Sequence, residues 1–287
     1  MSRPLAAAVA EATARLESAG VPSARHDAEV LAAHSLGVDR RDLWRHTRAG
    51  EQFEAYVGRR AAREPLQHIT GVAWFRHLTL QVGAGVFVPR PETEVVVDAV
   101  LAAVSGLARP RVVDLCTGSG AIALAVATEL AGSEVHAVEL DPAAHSWAAR
   151  NCAGTSVELR LGDMATAFPD LDGTVDVVVS NPPYIPQDAV IRDPEVAAHD
   201  PAVALWSGAD GLDAMRVVEQ VAARLLRPGG TVVAEHADLQ GSSAPAVFDG
   251  AGRWLDVADH RDLAGRDRYV TAVRRGATMA GTEEVGG

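Results

Sequence analysis

The 287-residue chain is 48% hydrophobic and 22% charged, enough apolar material for one large core and a second small one and too much for a disordered chain. Its formal charge of -12 is uneven: residues 1–75 carry ten Arg against nine acidic residues and the rest sixteen against 29, an acidity that repels phosphate backbones and disfavours a duplex DNA substrate. Two cysteines, Cys116 and Cys152, are too few for a disulfide framework or metal cluster, and no apolar run resembles a membrane span or secretory signal, so a cytoplasmic, metal-free monomer is expected.

Residues 1–70 read as a small helical domain. A helix over 4–19 ends at Gly20 and Pro22, and a second covers 23–35. Asp39 is placed to cap a short third helix, and Phe53, Tyr56, Val57 and Arg60 have helical spacing within 51–63, before Pro65. Over 71–90 the period shifts toward two, through Trp74, Leu78, Leu80 and Val82, with turns at Gly83 and Gly85. This is a β-hairpin connector, with Trp74 and Phe75 as packing residues.

Residues 91–275 alternate helical stretches with apolar runs at 111–115, 134–140, 157–161, 175–180 and 231–236, the rhythm of an open, parallel α/β sheet of Rossmann-like type. Runs at 254–257 and 269–273 are joined by a polar loop with no room for a helix and are expected to form an antiparallel pair. The small, polar residues 276–287 predict a disordered tail.

The segment Val112-Val113-Asp114-Leu115-Cys116-Thr117-Gly118-Ser119-Gly120-Ala121-Ile122-Ala123 is a buried strand, a small-residue turn and a helix start, where glycines let backbone approach a ligand. Glu139 ends the next strand, where a carboxylate can accept both hydroxyl protons of an adenosine ribose. Gly118, Gly120 and Ala123 also satisfy a dinucleotide fingerprint, so the loop alone leaves a nicotinamide cofactor open. Asp114 shifts the balance to S-adenosylmethionine: a carboxylate there repels pyrophosphate but can face an ammonium. Asp163 is placed to accept adenine amino protons, with Met164 packing on the ring; a turn or cap aspartate is the equally available reading.

Asn181-Pro182-Pro183-Tyr184 follows the apolar strand at 175–180, whose carboxyl end faces the ligand crevice of an open α/β sheet. An amide nitrogen is a poor nucleophile because its lone pair is delocalised. Two acceptors on its two N–H protons, the Asn181 side-chain oxygen and the Pro182 carbonyl, can orient and pyramidalise it for attack on a methyl group. The prolines fix φ and add no competing N–H, and Tyr184 supplies a flat wall. A plain Asn-Pro turn leaving a strand is the bland alternative.

Glu64-Pro65-Leu66-Gln67-His68-Ile69-Thr70-Gly71 and Phe87-Val88-Pro89-Arg90-Pro91-Glu92-Thr93-Glu94 resemble the two connector motifs of HemK/PrmC-type release factor glutamine methyltransferases. Arg25 to Glu29, Asp200-Pro201 through Leu205, Glu235-His236 and Arg261 to Arg268 are similar to other segments of that family, so the resemblance covers nearly the whole chain. It implies methylation, by S-adenosylmethionine, of the glutamine in the Gly-Gly-Gln tip of class-I peptide-chain release factors, leaving S-adenosylhomocysteine. It further implies a helical domain that helps dock the protein substrate. Carried over, the cofactor contacts are Cys116, Thr117, Gly118, Ser119, Gly120, Glu139, Met164 and Asn181, and the catalytic and substrate contacts are Asn181, Pro182, Pro183 and Tyr184. Cys116 stands where that loop often begins with glycine, a change of little cost if its φ is negative, and Glu139 replaces the more usual aspartate.

Two other functions fit parts of the pattern. An N6-adenine or guanine-N2 nucleic-acid methyltransferase would share the tetrapeptide but needs a basic recognition surface. A non-catalytic cofactor-binding module gripping a translation factor would have no use for the acceptor pair of Asn181. Arg90 reads either as a substrate contact or as an ion-pair partner of Glu92 or Glu94. His68, His77 and His236 lack metal-ligand spacing, and His236 reads as a satisfied core or rim residue.

Overall fold

The computed structural model describes residues 4–276, so the tail expected from 276 onward lies outside it except for Gly276. Its contacts divide the chain into two units: 1–73 with 81–88 and 190–200, and 74–80 with 89–189 and 201–287.

The first unit is helical. Helices α1 (Leu5–Ser18), α2 (Ala24–Leu36), α3 (Phe53–Ala61) and α4 (Leu66–Thr70) turn one apolar stripe inward each, so that Leu16, Leu31, Phe53, Val57 and Ile69 share a buried cluster. Asp39 does precede a short helix, but Arg40–Arg45 is a 3-10 turn and the Asp39 side chain makes no capping bond. Beneath the stripe lies a buried ion pair. Asp27 Oδ2 accepts from Arg60 Nε at 2.7 Å while its Oδ1 accepts from Ser23 Oγ at 2.8 Å.

Strands β1 (Val72–Phe75) and β2 (Leu78–Gln81) form the expected hairpin. Phe75 is fully buried, whereas Trp74 is 73% exposed and does not pack as expected. The alternation puts successive side chains on opposite faces, and only one face is covered.

The second unit contains β3 (Arg111–Leu115), β4 (Glu134–Glu139), β5 (Glu158–Leu161), β6 (Val175–Ser180), β7 (Leu226–Glu235), β8 (Trp254–Arg261) and β9 (Asp267–Arg274). They form a sheet of order β5-β4-β3-β6-β7-β9-β8, parallel through β7, with β9 antiparallel to both neighbours. Helices α5 (Glu94–Ala103) and α6 (Ala121–Glu129) pack on Val112, Val177, Val179 and Val233. The intervening residues Val113, Leu115, Val178 and Val232 face the cluster built from the long helix at Asp213–Leu225 and the short one at Ser243–Asp249. Burial of both faces explains why the inner strands β3 and β6 read as largely apolar runs, whereas the edge strand β5 is partly exposed. β7 starts five residues before its expected limit, at Leu226, with a register irregularity opposite Val175/Val177 that absorbs Pro228-Gly229-Gly230.

Candidate active site

The segments singled out in the sequence meet at the carboxyl ends of four adjacent strands. The loop Cys116–Gly120 leaves β3, Glu139 ends β4, Asp163 and Met164 follow β5, and Asn181–Tyr184 leave β6. Register pairs Leu115 with Ser180, and the Ser180 hydroxyl donates to the Leu115 carbonyl at 2.7 Å. Cys116 and Asn181 therefore start side by side, where an open α/β sheet takes its ligand.

Asp114 is completely buried beneath the loop. Its Oδ2 accepts from Thr117 Oγ1 at 2.6 Å and from the Ala123 N–H at 3.1 Å, which ties the loop to the first turn of α6. Oδ1 is buried with no hydrogen-bond partner, and burial pushes the carboxyl up to about 7 against the help of Thr117 and Ala123. A cation arriving at Oδ1 would reverse that shift. Gly118 adopts φ +59°, and a Cβ built there would meet nothing within 4 Å, so the loop backbone is open to a ligand. Both features fit a cofactor bearing an ammonium group.

Glu139 is held by two backbone donors: Gly118 N–H reaches Oε2 and Asp141 N–H reaches Oε1, each at 2.8 Å. Each oxygen keeps capacity for another donor. Asp141 caps a helix over Pro142–Asn151, and Asn151 Nδ2 from that helix donates to the Ser119 carbonyl at 2.9 Å. Asp163 caps a short turn through Ala165 N–H at 2.9 Å, so its cap role is present; its exposed side chain also lies on the site edge. Met164 is half-buried, with its sulfur 3.4 Å from Cys116 Sγ.

Cys116 corrects one expectation, since its φ is +61°. A left-handed non-glycine residue costs about 1–2 kcal/mol. The tight exit from β3 demands that conformation regardless of residue type. Burial also pushes its thiol far above the ordinary range, so it is no nucleophile at neutral pH. Cys116→Gly is expected to raise stability by about 1 kcal/mol as left-handed strain is relieved. Urea unfolding checks this, and a lowered midpoint at unchanged slope would contradict it.

At the tetrapeptide, Asn181 Nδ2 donates to Thr93 Oγ1 at 3.3 Å, leaving Oδ1 as the carboxamide atom available to an outside donor. Tyr184 lies partly buried. Its phenol is raised well beyond its usual range by burial and the nearby Glu235 charge, with Glu92 adding and Arg268 and Arg90 opposing. The Tyr184 carbonyl accepts from Gln240 Nε2 at 3.1 Å, and the same amide nitrogen reaches the Gly211 carbonyl at 3.3 Å. Gly211 has φ +76°, and a Cβ there would sit 2.4 Å from the Tyr184 oxygen, so only glycine lets that strand exit close.

Thr93, Gln240 and Glu235 were given no role from sequence. Thr93 and Glu235 lie within segments that resemble the family, and Glu235 ends β7 directly beside the tetrapeptide strand, which is the signal that could have exposed it. His236, by contrast, is the satisfied residue expected: Nδ1 meets the Ala237 carbonyl at 2.9 Å and Nε2 meets Asp259 at 2.8 Å. Glu94 accepts from the Arg76 N–H at 2.8 Å, which ties the hairpin turn to α5. Among the described residues no group of three or more His, Cys, Asp or Glu is arranged to hold a metal ion, and no helix is long and apolar enough to cross a membrane.

Known proteins resemble this chain over nearly its whole length. Residues 7–71 match the PrmC N-terminal domain and residues 112–193 match a methyltransferase domain. A release factor glutamine methyltransferase of Streptomyces coelicolor is 58% identical, the alignment spanning 93% of this chain and 97% of that protein. A protein of the same description from Mycolicibacterium smegmatis is 50% identical over 94% of this chain and 98% of its own. A 4-amino-L-phenylalanine/4-methylamino-L-phenylalanine methyltransferase of Streptomyces pristinaespiralis is also similar, at 43% identity over 94% and 95% of the two chains. With both domains matched, near-complete coverage and the tetrapeptide seated beside the ligand loop, the chain belongs to the HemK/PrmC family of release factor glutamine methyltransferases.

Proposed function

We propose that the chain methylates the side-chain amide nitrogen of the glutamine in the Gly-Gly-Gln motif of class-I peptide-chain release factors, using S-adenosylmethionine. The observation that carries this reading is the Asn181 carboxamide, held through Nδ2 by Thr93 so that Oδ1 can accept, at the edge of the loop between β3 and α6. S-adenosylmethionine, when bound, supplies an electrophilic methyl group on sulfur. Cys116 to Gly120 would hold it along the backbone, Glu139 would accept its ribose hydroxyls, Asp114 its ammonium, and Asp163 and Met164 its adenine.

Asn181 Oδ1 and the Pro182 carbonyl would each accept one N–H of the glutamine amide. Gripping both protons turns the nitrogen lone pair out of conjugation and fixes its direction, the kind of orientation that reduces a barrier without an acid–base pair. Pro182 and Pro183 keep the corner rigid because neither can rotate about φ. The Tyr184 ring would bound the amide on one side, and its raised pKa keeps it neutral. Once methylated, the nitrogen loses a proton to solvent.

Incubation of purified release factor with the chain and S-adenosylmethionine, followed by peptide mass spectrometry, tests the reading. A one-methylene increment on the Gly-Gly-Gln glutamine is expected; an unmodified glutamine with methyl-donor turnover elsewhere would refute it. A nucleic-acid substrate is disfavoured by the acidity of residues 76–287, with sixteen Arg against 29 acidic side chains.

The Asp114 assignment has its own test. Asp114→Asn retains an acceptor for Thr117 and Ala123 but removes the charge, and is expected to weaken S-adenosylmethionine binding by about 10- to 100-fold, the worth of a charge-assisted hydrogen bond. Calorimetry with methylthioadenosine, which lacks the ammonium, should register almost no change. Equal losses for both ligands would assign Asp114 to loop structure alone.

A further inference from the structure

Glu235 is 1% exposed at the carboxyl end of β7, and its Oε2 has no aligned hydrogen-bond donor. The register that pairs Ser180 with Ala234 brings Glu235 opposite Asn181, the first residue of the tetrapeptide. Thr93 and Asn181 lie close enough to its carboxyl to favour the ionised form, Arg268 from β9 favours it by charge and Glu92 from the turn before α5 opposes it, and Tyr184 feels its charge in turn. The reaction as described uses none of this, yet a buried carboxylate without a full set of partners is costly to keep.

Hydrogen-bond polarity gives it a task. A threonine hydroxyl has one proton and can serve Asn181 in either sense, donating to Oδ1 or accepting from Nδ2. An ionised carboxylate can only accept. With Glu235 ionised, the Thr93 proton turns toward it, so Thr93 Oγ1 must accept from Asn181 Nδ2, the sense seen at 3.3 Å. That leaves Oδ1, and not a second pair of N–H donors, for the substrate amide. We propose that Glu235 is a positioning residue that sets the orientation of the Asn181 carboxamide through the Thr93 hydroxyl, so that the tetrapeptide presents an acceptor to its amide substrate. The inference rests on the glutamine methylation reading above.

Protonation would undo the device, because a carboxylic acid can donate to Thr93 and release its hydroxyl proton toward Oδ1. Burial raises Glu235 to about 7, with Thr93, Arg268 and Asn181 favouring the ionised form and Glu92 opposing it. At saturating cofactor, kcat of the wild type should therefore fall as pH drops through that region.

The test uses the full chain with a release factor as methyl acceptor. Glu235→Gln keeps the shape but can donate, and is expected to lower kcat by about tenfold, the effect of one misdirected hydrogen bond. KM and cofactor affinity should change little, and the fall in kcat toward low pH should disappear. Thr93→Val, which removes the hydroxyl without carving a large cavity, should lower kcat similarly, and combining it with Glu235→Gln should add almost nothing. Wild-type kcat and an unchanged pH profile in Glu235→Gln, or full kcat in Thr93→Val, would overturn the proposal. So would losses in cofactor affinity and unfolding midpoint that match the loss in kcat, since those mark a structural residue. A wild-type chain that methylates no release factor would bring down the underlying reading as well, which separates that failure from this one.

Discussion

Asn181→Ala is expected to lower kcat for release factor methylation by about 10²- to 10³-fold, the scale for losing one preorganised polar group at the reacting centre. The side chain has one role that backbone cannot replace: Oδ1 is positioned because Nδ2 is held by Thr93. The Pro182 carbonyl survives in the mutant, so one of two acceptors remains and some orientation persists. Cofactor affinity should fall far less than turnover, because the loop over Cys116–Gly120 and its ties to Asp114 and Glu139 are untouched. Labelled-methyl transfer under single-turnover conditions reads the chemical step directly. Equal rates for mutant and wild type would remove Asn181 from the mechanism.

Arg60→Ala is expected to destabilise the helical unit by about 3–5 kcal/mol, the cost of stripping one partner from a buried ion pair. The guanidinium is 4% exposed and serves three groups: Asp27 Oδ2 at 2.7 Å, the Glu64 carbonyl at 3.0 Å, and Glu195 Oε1 at 2.8 Å, with Asp27 itself tied to Ser23. Its removal leaves the Asp27 carboxylate, 2% exposed, with only a serine hydroxyl. Arg63, at 2.8 Å from the same Glu195 oxygen, can support Glu195 but not Asp27. Urea unfolding of the full chain, followed by helical circular dichroism, should show the loss. A change below about 1 kcal/mol would mean that the pair behaves like an exposed one.

The parallel strands and the tetrapeptide were legible in the sequence for the same reason: each is contiguous, and its physics is local. Val175–Ser180 is apolar apart from Asp176 and Ser180 because both its faces are covered, and Asn181-Pro182-Pro183-Tyr184 follows at once. What escaped notice depends on partners distant in the chain. Thr93 meets Asn181 across 88 residues, and Gln240 meets the Tyr184 carbonyl across 56, contacts that only the strand order creates. Cys116 misled because residue type argues against a left-handed backbone, while the turn that imposes it belongs to the loop as a whole. Trp74 misled because alternation identifies two faces without saying which is covered.

The helix at Pro194–His199 was missed for both reasons, being six residues long and belonging elsewhere than its neighbours in the chain. Chain order alone puts 190–200 with residues 91–275, whereas its contacts group it with the helical unit through Glu195, Arg60 and Arg63.

That excursion makes the helical unit something other than an appendage. It is assembled from three stretches of chain, and the last is reached only after the tetrapeptide has been made. On the ribosome, Arg60 must wait for Glu195 to emerge, some 135 residues later. In this chain, exchanging the amino-terminal portion alone would part Arg60 from the Glu195 it is paired with, so the two stretches must change together.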